Sequence, residues 1–122
     1  MPTRFRVLRS VACDADIAAI FDQLFQSYRD LGDPTTDALT RAATRVRGIE
    51  DALAALGDVP FQGTLTPDIL PGLRHVTRDG AVFYFIADEA LSELRVLAVF
   101  FGGQDHRNHI LRRILSGAGP QG

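Results

Sequence analysis

The sequence has 122 residues, 46% of them apolar, and a formal net charge of −2, which is typical of one soluble globular domain. Its apolar runs are too short for a transmembrane helix, and its start lacks the apolar segment of a secretion signal. The single cysteine, Cys13, cannot form an internal disulfide, which favours a reducing cytoplasm. We therefore expect a cytoplasmic protein without a membrane segment, with one domain over residues 1–116 and a flexible tail over 117–122.

Charge is unevenly distributed along the sequence. All 13 basic residues are arginine, and the segments 1–13 and 104–122 are net positive, whereas 14–58 and 59–103 are net negative. A protein that is weakly acidic overall is not a general binder of polyanions. Electrostatic recognition should therefore depend on the two cationic ends, provided that the fold brings them together.

The N-terminal half predicts one strand and a helical hairpin. Residues 4–11 alternate between apolar and arginine side chains, as in an edge or half-buried strand. Residues 14–57 have helical periodicity, with Asp14 as the predicted N-cap, Gly32 as the end of the first helix and Asp33-Pro34 as the start of the second. The apolar positions that define the two helices are Ile17, Ile20, Phe21, Leu24, Phe25, Tyr28 and Leu31, then Leu39, Ala42, Ala43, Val46, Ile49, Leu53 and Leu56.

The C-terminal half predicts a three-stranded antiparallel meander over 73–78, 81–87 and 94–101. Asp79-Gly80 is a strong signal for a two-residue hairpin turn. The last two strands are almost continuously apolar, which predicts burial on both faces of the sheet. Asp105 can cap a short final helix. The order β-α-α-β-β-β-α therefore predicts an α+β fold with the helical hairpin packed on one face of the sheet.

Two of the three histidines, His106 and His109, lie three residues apart at the start of the final helix. A zinc site would need further ligands, and Asp105 and Asn108 are the nearest, so we predict no metal and no cofactor. The alternatives are exposed polar positions, or a surface used for recognition or for acid–base chemistry near neutral pH.

Arg74 and His75 begin the first strand of the meander. Strand alternation directs them to opposite faces, so they cannot line one pocket without a bulge. We predict that His75 faces the core and that Arg74 can reach a phosphate or a carboxylate. Gly102-Gly103 is compatible with a phosphate-binding turn, but a tight strand-to-helix turn explains the pair better.

The order of elements and several local sequences resemble the RelE/ParE superfamily of type II toxin–antitoxin toxins, and within it the ParE-like proteins. The resemblance covers nearly the whole chain. The matching residues are Pro60, Phe61 and Gly63, Pro71-Gly72-Leu73-Arg74, Phe83-Tyr84-Phe85-Ile86, Leu94-Arg95-Val96-Leu97 and the Asp105 turn.

This resemblance implies a small cytoplasmic toxin that a cognate ParD-like antitoxin neutralises. For a ParE-like member it implies binding and poisoning of DNA gyrase without chemistry by the toxin, and for a RelE-like member cleavage of messenger RNA on the ribosome. RelE-like proteins use lysines, arginines and a late tyrosine or histidine, whereas this sequence has no lysine and no tyrosine after Tyr84. The resemblance therefore favours a non-catalytic, gyrase-targeting toxin, with the endoribonuclease as the alternative.

Under the first hypothesis a cationic surface beside the sheet binds the target. Its predicted residues are Arg74, His106, Arg107, Arg112 and Arg113. Under the alternative, His106 or His109 acts as a general base on RNA while Arg74 and Arg107 stabilise the phosphate. Phe21, Phe25 and Phe61 are candidates for an antitoxin contact, although packing in the core explains each of them better.

Overall fold

In the described part of the chain, five strands form one sheet in the order β1-β5-β4-β3-β2, and three helices cover its two faces. The computed structural model describes residues 4–102 and 105–116, so the predicted tail and Gly103 lie outside the described residues. The strands are β1 (Arg6–Arg9), β2 (Thr64–Leu65), β3 (Leu73–Arg78), β4 (Ala81–Asp88) and β5 (Glu93–Phe101). The helices are α1 (Val11–Asp30), α2 (Thr35–Ala55) and α3 (His106–Leu115), and a 3₁₀ turn (Leu56–Asp58) follows α2.

The predicted meander is confirmed, because β3, β4 and β5 pair in antiparallel order. The sheet as a whole is mixed, since β1 lies at its edge and runs parallel to β5. The sequence analysis missed β2, which adds Thr64 and Leu65 antiparallel to β3. A strand of two residues has no periodicity to detect, so only the pairing itself reveals it.

The larger core lies between the sheet and the helical hairpin. Phe83 and Phe85 of β4 are fully buried there against α1 and α2. Ile49 of α2 is also fully buried, and Ile20 of α1 is almost so. The hairpin therefore packs on one face of the sheet, as predicted.

The opposite face carries a smaller core under α3. Ile110 is fully buried against Tyr84 and Leu97, with Phe100 beside them. Strands β4 and β5 are thus buried on both faces, which explains why their sequences are almost continuously apolar.

Two predicted helix starts are wrong. Helix α1 begins at Val11 and is capped by Ser10, whose Oγ accepts a hydrogen bond from the amide of Cys13 at 3.0 Å. The carboxylate of Asp14 instead pairs with Arg9 at 2.6 Å. Helix α2 has Pro34 at its N-cap position rather than Asp33, whose carboxylate pairs with Arg41 at 2.6 Å. In both cases an arginine competes for the carboxylate that would otherwise cap the helix.

A β-bulge in β5 shapes the region under α3. Phe85 pairs with Val96 and Tyr84 pairs with Ala98, so Leu97 is the extra residue on β5. The bulge leaves the Leu97 carbonyl outside the regular ladder, where side chains can bond to it. It therefore creates an acceptor for α3 at the centre of the sheet.

Candidate functional site

Helix α3 is fastened to the sheet near its C-terminal end by Arg113. Its guanidinium donates to both carboxylate oxygens of Asp16 in α1, each at 2.7 Å, and to the bulged Leu97 carbonyl at 3.0 Å. The same carboxylate accepts from the amide of Val99 at 2.9 Å. The hydrogen bond to Asp16 raises the pKa of Arg113 despite partial burial. Arg113 is therefore committed to an internal ion pair.

At its other end α3 is fastened by His106. The Nδ1 atom of this residue lies 2.8 Å from the hydroxyl of Tyr84 on β4. Tyr84 is almost completely buried, and this burial raises the pKa of its phenol. The phenol therefore keeps its proton at neutral pH and can donate it to His106.

A second histidine, His75 of β3, adjoins this pair. Its ring centroid lies 5.3 Å from that of Tyr84 and 6.3 Å from that of His106. Its Nδ1 atom lies 2.9 Å from the hydroxyl of Thr66, which is itself buried. Burial lowers the pKa of His75, and the positive charges of His106 and Arg107 lower it further. His75, Tyr84 and His106 form what we call the histidine–tyrosine cluster.

Two arginines lie on the outer side of α3. Arg107 forms an exposed ion pair with Asp68, and its hydrogen bond lowers the pKa of that carboxyl. Arg112 is exposed and has no ion-pair partner within the described residues. The leucines Leu111 and Leu115 are exposed on the same helix. The outer surface of α3 therefore combines two arginines with two exposed leucines.

His109 does not belong to the cluster. Its ring stacks on Phe100, with centroids 5.6 Å apart and planes at 30°, and it lines a small cleft of about 150 Å³ with Asp16 and Arg113. His106 and His109 therefore contact different neighbours in spite of their spacing. Within residues 4–102 and 105–116, no three His, Cys, Asp or Glu side chains are grouped to hold a metal ion.

Arg74 lies on the other face of the sheet. It pairs with Phe85 of the hairpin-side core, donates to the Phe61 carbonyl at 2.7 Å, and lies 5.5 Å over the Phe61 ring. His75 pairs with Tyr84 on the α3 side, so the predicted opposition of Arg74 and His75 is confirmed. Of the five residues predicted for one cationic surface, His106, Arg107 and Arg112 share α3, Arg113 is paired internally, and Arg74 is on the far side.

The aromatic residues proposed for a partner contact divide into two groups. Phe21 and Phe25 are half-buried against the hairpin-side core. Phe61 is about half exposed, and its ring packs edge-on against Phe5 at 5.6 Å. Phe61 is therefore the most accessible of the three.

Cys13 lies in the first turn of α1 and is fully buried. Burial raises the pKa of its thiol to about 12, so the reactive thiolate is absent at neutral pH. Cys13 therefore packs as a small apolar residue.

The architecture defines a class of protein. It is a small α+β domain with a mixed sheet, in which the helical hairpin that follows β1 covers one face and a terminal helix covers the other. No protein-family model matches the sequence, and no curated protein matches it. Among solved structures it is similar to a chain of the chromosomal ParDE TA system from P. aeruginosa, with a TM-score of 0.59 and 22% sequence identity. The match covers 79% of this chain and 94% of that chain. The chain therefore has a ParE-like fold, and the predicted resemblance is confirmed at the level of the fold.

No helix in the described part of the chain is long and apolar enough to cross a membrane.

Proposed function

We propose that this chain is the toxin of a type II toxin–antitoxin system, that it acts in the cytoplasm, and that a ParD-like antitoxin neutralises it. The observation that carries the proposal is the fold shared with a chain of a ParDE system over 94% of that chain. Because fold alone does not define activity, the surface must supply the argument for the target.

The proposed target is DNA gyrase, bound without chemistry by the toxin. The outer side of α3 presents Arg107 and Arg112, and guanidinium groups bind carboxylates or phosphates through two parallel hydrogen bonds. Arg113 supports this surface from beneath by fixing α3 to Asp16 and Leu97. Arg74 supports the loop at Phe61 instead.

The test is expression without an antitoxin, followed by a supercoiling assay with purified gyrase. We expect growth arrest, DNA damage and inhibited supercoiling. Arg112→Ala should weaken inhibition about fivefold, which corresponds to an interface residue that contributes about 1 kcal/mol. Arg47→Ala is the matched control, because Arg47 is an exposed arginine on α2. Intact DNA and unchanged supercoiling would reject gyrase as the target.

A ribosome-dependent endoribonuclease is the second candidate, and the hydrogen bond between His106 and Tyr84 favours it. A histidine held by a protonated phenol, with His75 and Arg107 nearby, has the groups needed for general acid–base attack on RNA. Mapping of mRNA ends in a translation extract tests this candidate. His106→Ala should abolish cleavage and His109→Ala should preserve it, because His109 stacks on Phe100 away from the cluster. Toxicity that survives in a variant with both His106→Ala and His109→Ala would reject the nuclease.

An uncovered cleft supports the proposed antitoxin contact. It has a volume of about 210 Å³ and is lined by the apolar residues Leu8, Ile86 and Leu91, with charged residues at its rim. An amphipathic helix could place apolar side chains in such a cleft. Co-purification with the product of a neighbouring ParD-like reading frame tests the contact. Leu91→Asp should prevent capture, whereas Leu31→Asp, at another exposed leucine, should not.

A further inference from the structure

The histidine–tyrosine cluster contains two buried hydroxyl groups, and each bonds to one histidine. Thr66 and Tyr84 are both nearly inaccessible to solvent. Within the described residues, the Thr66 hydroxyl forms a side-chain hydrogen bond only with the Nδ1 of His75, and the Tyr84 hydroxyl only with the Nδ1 of His106. A buried hydroxyl proton needs an acceptor, so each hydroxyl donates to the Nδ1 beside it.

These two hydrogen bonds fix the tautomers of both neutral imidazoles. When Nδ1 accepts a proton from a hydroxyl, the ring's own proton resides on Nε2. The Nε2 atoms of His75 and His106 therefore both donate, and neither has a partner in the described part of the chain. These two N–H donors, without a partner among the described residues, lie on rings whose centroids are 6.3 Å apart, so a single bound group can accept from both.

The electrostatics favour a negatively charged acceptor. Arg107 is close enough for its positive charge to act on both His75 and Tyr84. The carboxylates nearby are otherwise engaged: Asp68 pairs with Arg107, and Asp105 caps α3. A metal ion is a poor alternative, because the described residues offer no third ligand of the His, Cys, Asp or Glu type at this place.

We propose that the Nε2 atoms of His75 and His106, with Arg107 at the edge, bind the oxygen atoms of a phosphate group. Phosphate supplies several acceptor oxygens on one atom, so it can accept from both rings at once and from a guanidinium. Asp68 occupies Arg107 when no phosphate is present, and releases it when the phosphate binds. The site deepens the second candidate function, in which the same His106 and Arg107 act on RNA, but phosphate binding is measured on the purified chain and does not require cleavage or growth arrest.

Nuclear magnetic resonance of the imidazole nitrogens tests the site, because the chain has only three histidines. Inorganic phosphate is titrated at constant ionic strength, with chloride as the balancing anion. The resonances of His75 and His106 should shift and saturate with one common dissociation constant. His109, which stacks on Phe100, should not shift and serves as the internal reference. Equal, non-saturating shifts at all three rings would mean charge screening alone and would overturn the proposal.

Variants test separately the contact of the phosphate with Arg107 and the contact that depends on the His106 tautomer. Arg107→Gln should weaken phosphate binding about tenfold, as expected for the loss of a hydrogen bond to a charged group. Tyr84→Phe keeps the buried ring but frees the His106 tautomer, and should weaken binding about fivefold. Arg47→Gln, an exposed arginine on α2, is the control and should bind as the parent does. Unchanged binding in both Arg107→Gln and Tyr84→Phe would also overturn the proposal.

A comparison of probes identifies the source of the phosphate. A nucleoside 5′-monophosphate tests a monoester, and a short oligonucleotide without terminal phosphates tests a diester. Tighter binding of the first indicates a site for a nucleotide end, and tighter binding of the second indicates a site for a nucleic-acid backbone.

Discussion

The two faces of the sheet are covered by different means. On one face, α1 and α2 bury a continuous apolar core that includes Phe83 and Phe85. On the other, α3 has ten residues and buries only Ile110 completely. Because α3 buries little apolar area, it is held instead by hydrogen bonds at both ends, between the Tyr84 hydroxyl and His106 and between Arg113 and Asp16.

The hairpin face mainly stabilises the fold, whereas the α3 face mainly positions a helix. Apolar burial is roughly proportional to area and does not fix one geometry, whereas paired hydrogen bonds are lost once the groups move by about an ångström. The hairpin face therefore supplies most of the free energy of folding. The α3 face fixes where a helix lies, and with it Arg107 and Arg112 on its outer side.

The largest effect is expected on the hairpin face. Phe83→Ala should lower the free energy of unfolding by about 3–5 kcal/mol, because it removes a fully buried ring and leaves a cavity. Denaturant unfolding followed by circular dichroism measures this, and hydrogen exchange should accelerate throughout the sheet. A loss confined to the amides of α3 would contradict the comparison.

A smaller and more local effect is expected from Arg113→Met. The Arg113 and Asp16 side chains are 20% and 13% exposed, so breaking this pair should cost about 2 kcal/mol, less than for a fully buried pair. Hydrogen exchange should show loss of protection in α3 before the rest of the sheet. In a double-mutant cycle with Asp16→Asn, the two changes should not be additive. Strict additivity would show that the pair does not fasten α3.

Lowering the pH should decrease the stability of the folded protein through His75, which lies on the α3 side of the sheet. Its pKa is lowered in the folded protein, first by burial and then by His106 and Arg107, so the unfolded chain binds more protons below about pH 6.5. The stabilisation from neutral His75 is therefore complete above that pH and is lost as the pH falls. His75→Gln should flatten the decrease in melting temperature between pH 7 and pH 5. An unchanged slope in His75→Gln would refute the assignment.

The smallest effect is expected at Gly48 of α2. A Cβ there would lie 2.5 Å from the Oδ2 of Asp79, which pairs with Arg45 at 2.9 Å. Gly48→Ala should therefore change stability by less than about 1 kcal/mol, because the gain in helix propensity offsets the displaced carboxylate. In an Asp79→Gly background, which also suits the positive φ of 53° at that position, Gly48→Ala should stabilise by about 1 kcal/mol. Equal effects in both backgrounds would show that Asp79 does not constrain Gly48.

Part of the histidine–tyrosine cluster was accessible from the sequence. The Asp79-Gly80 turn pairs Arg78 with Ala81, and counting back along both strands places His75 opposite Tyr84. The sequence analysis predicted that His75 faces the core, but it did not identify Tyr84 as the residue opposite it. Nothing in the sequence placed Thr66 or His106 against the same two rings, because loops and a separate helix bring them there.

The sequence alone determined the α+β order, the meander, the hairpin turn and the burial of β4 and β5 on both faces. These features depend on local periodicity and turn chemistry, which act over a few residues. Only the tertiary structure decided that β1 runs parallel to β5, that Leu97 forms a bulge, and that Arg113 reaches Asp16, 97 residues away. Such contacts depend on the packing of whole elements, and no local pattern in the sequence specifies which arginine is paired inside the fold and which remains on its surface.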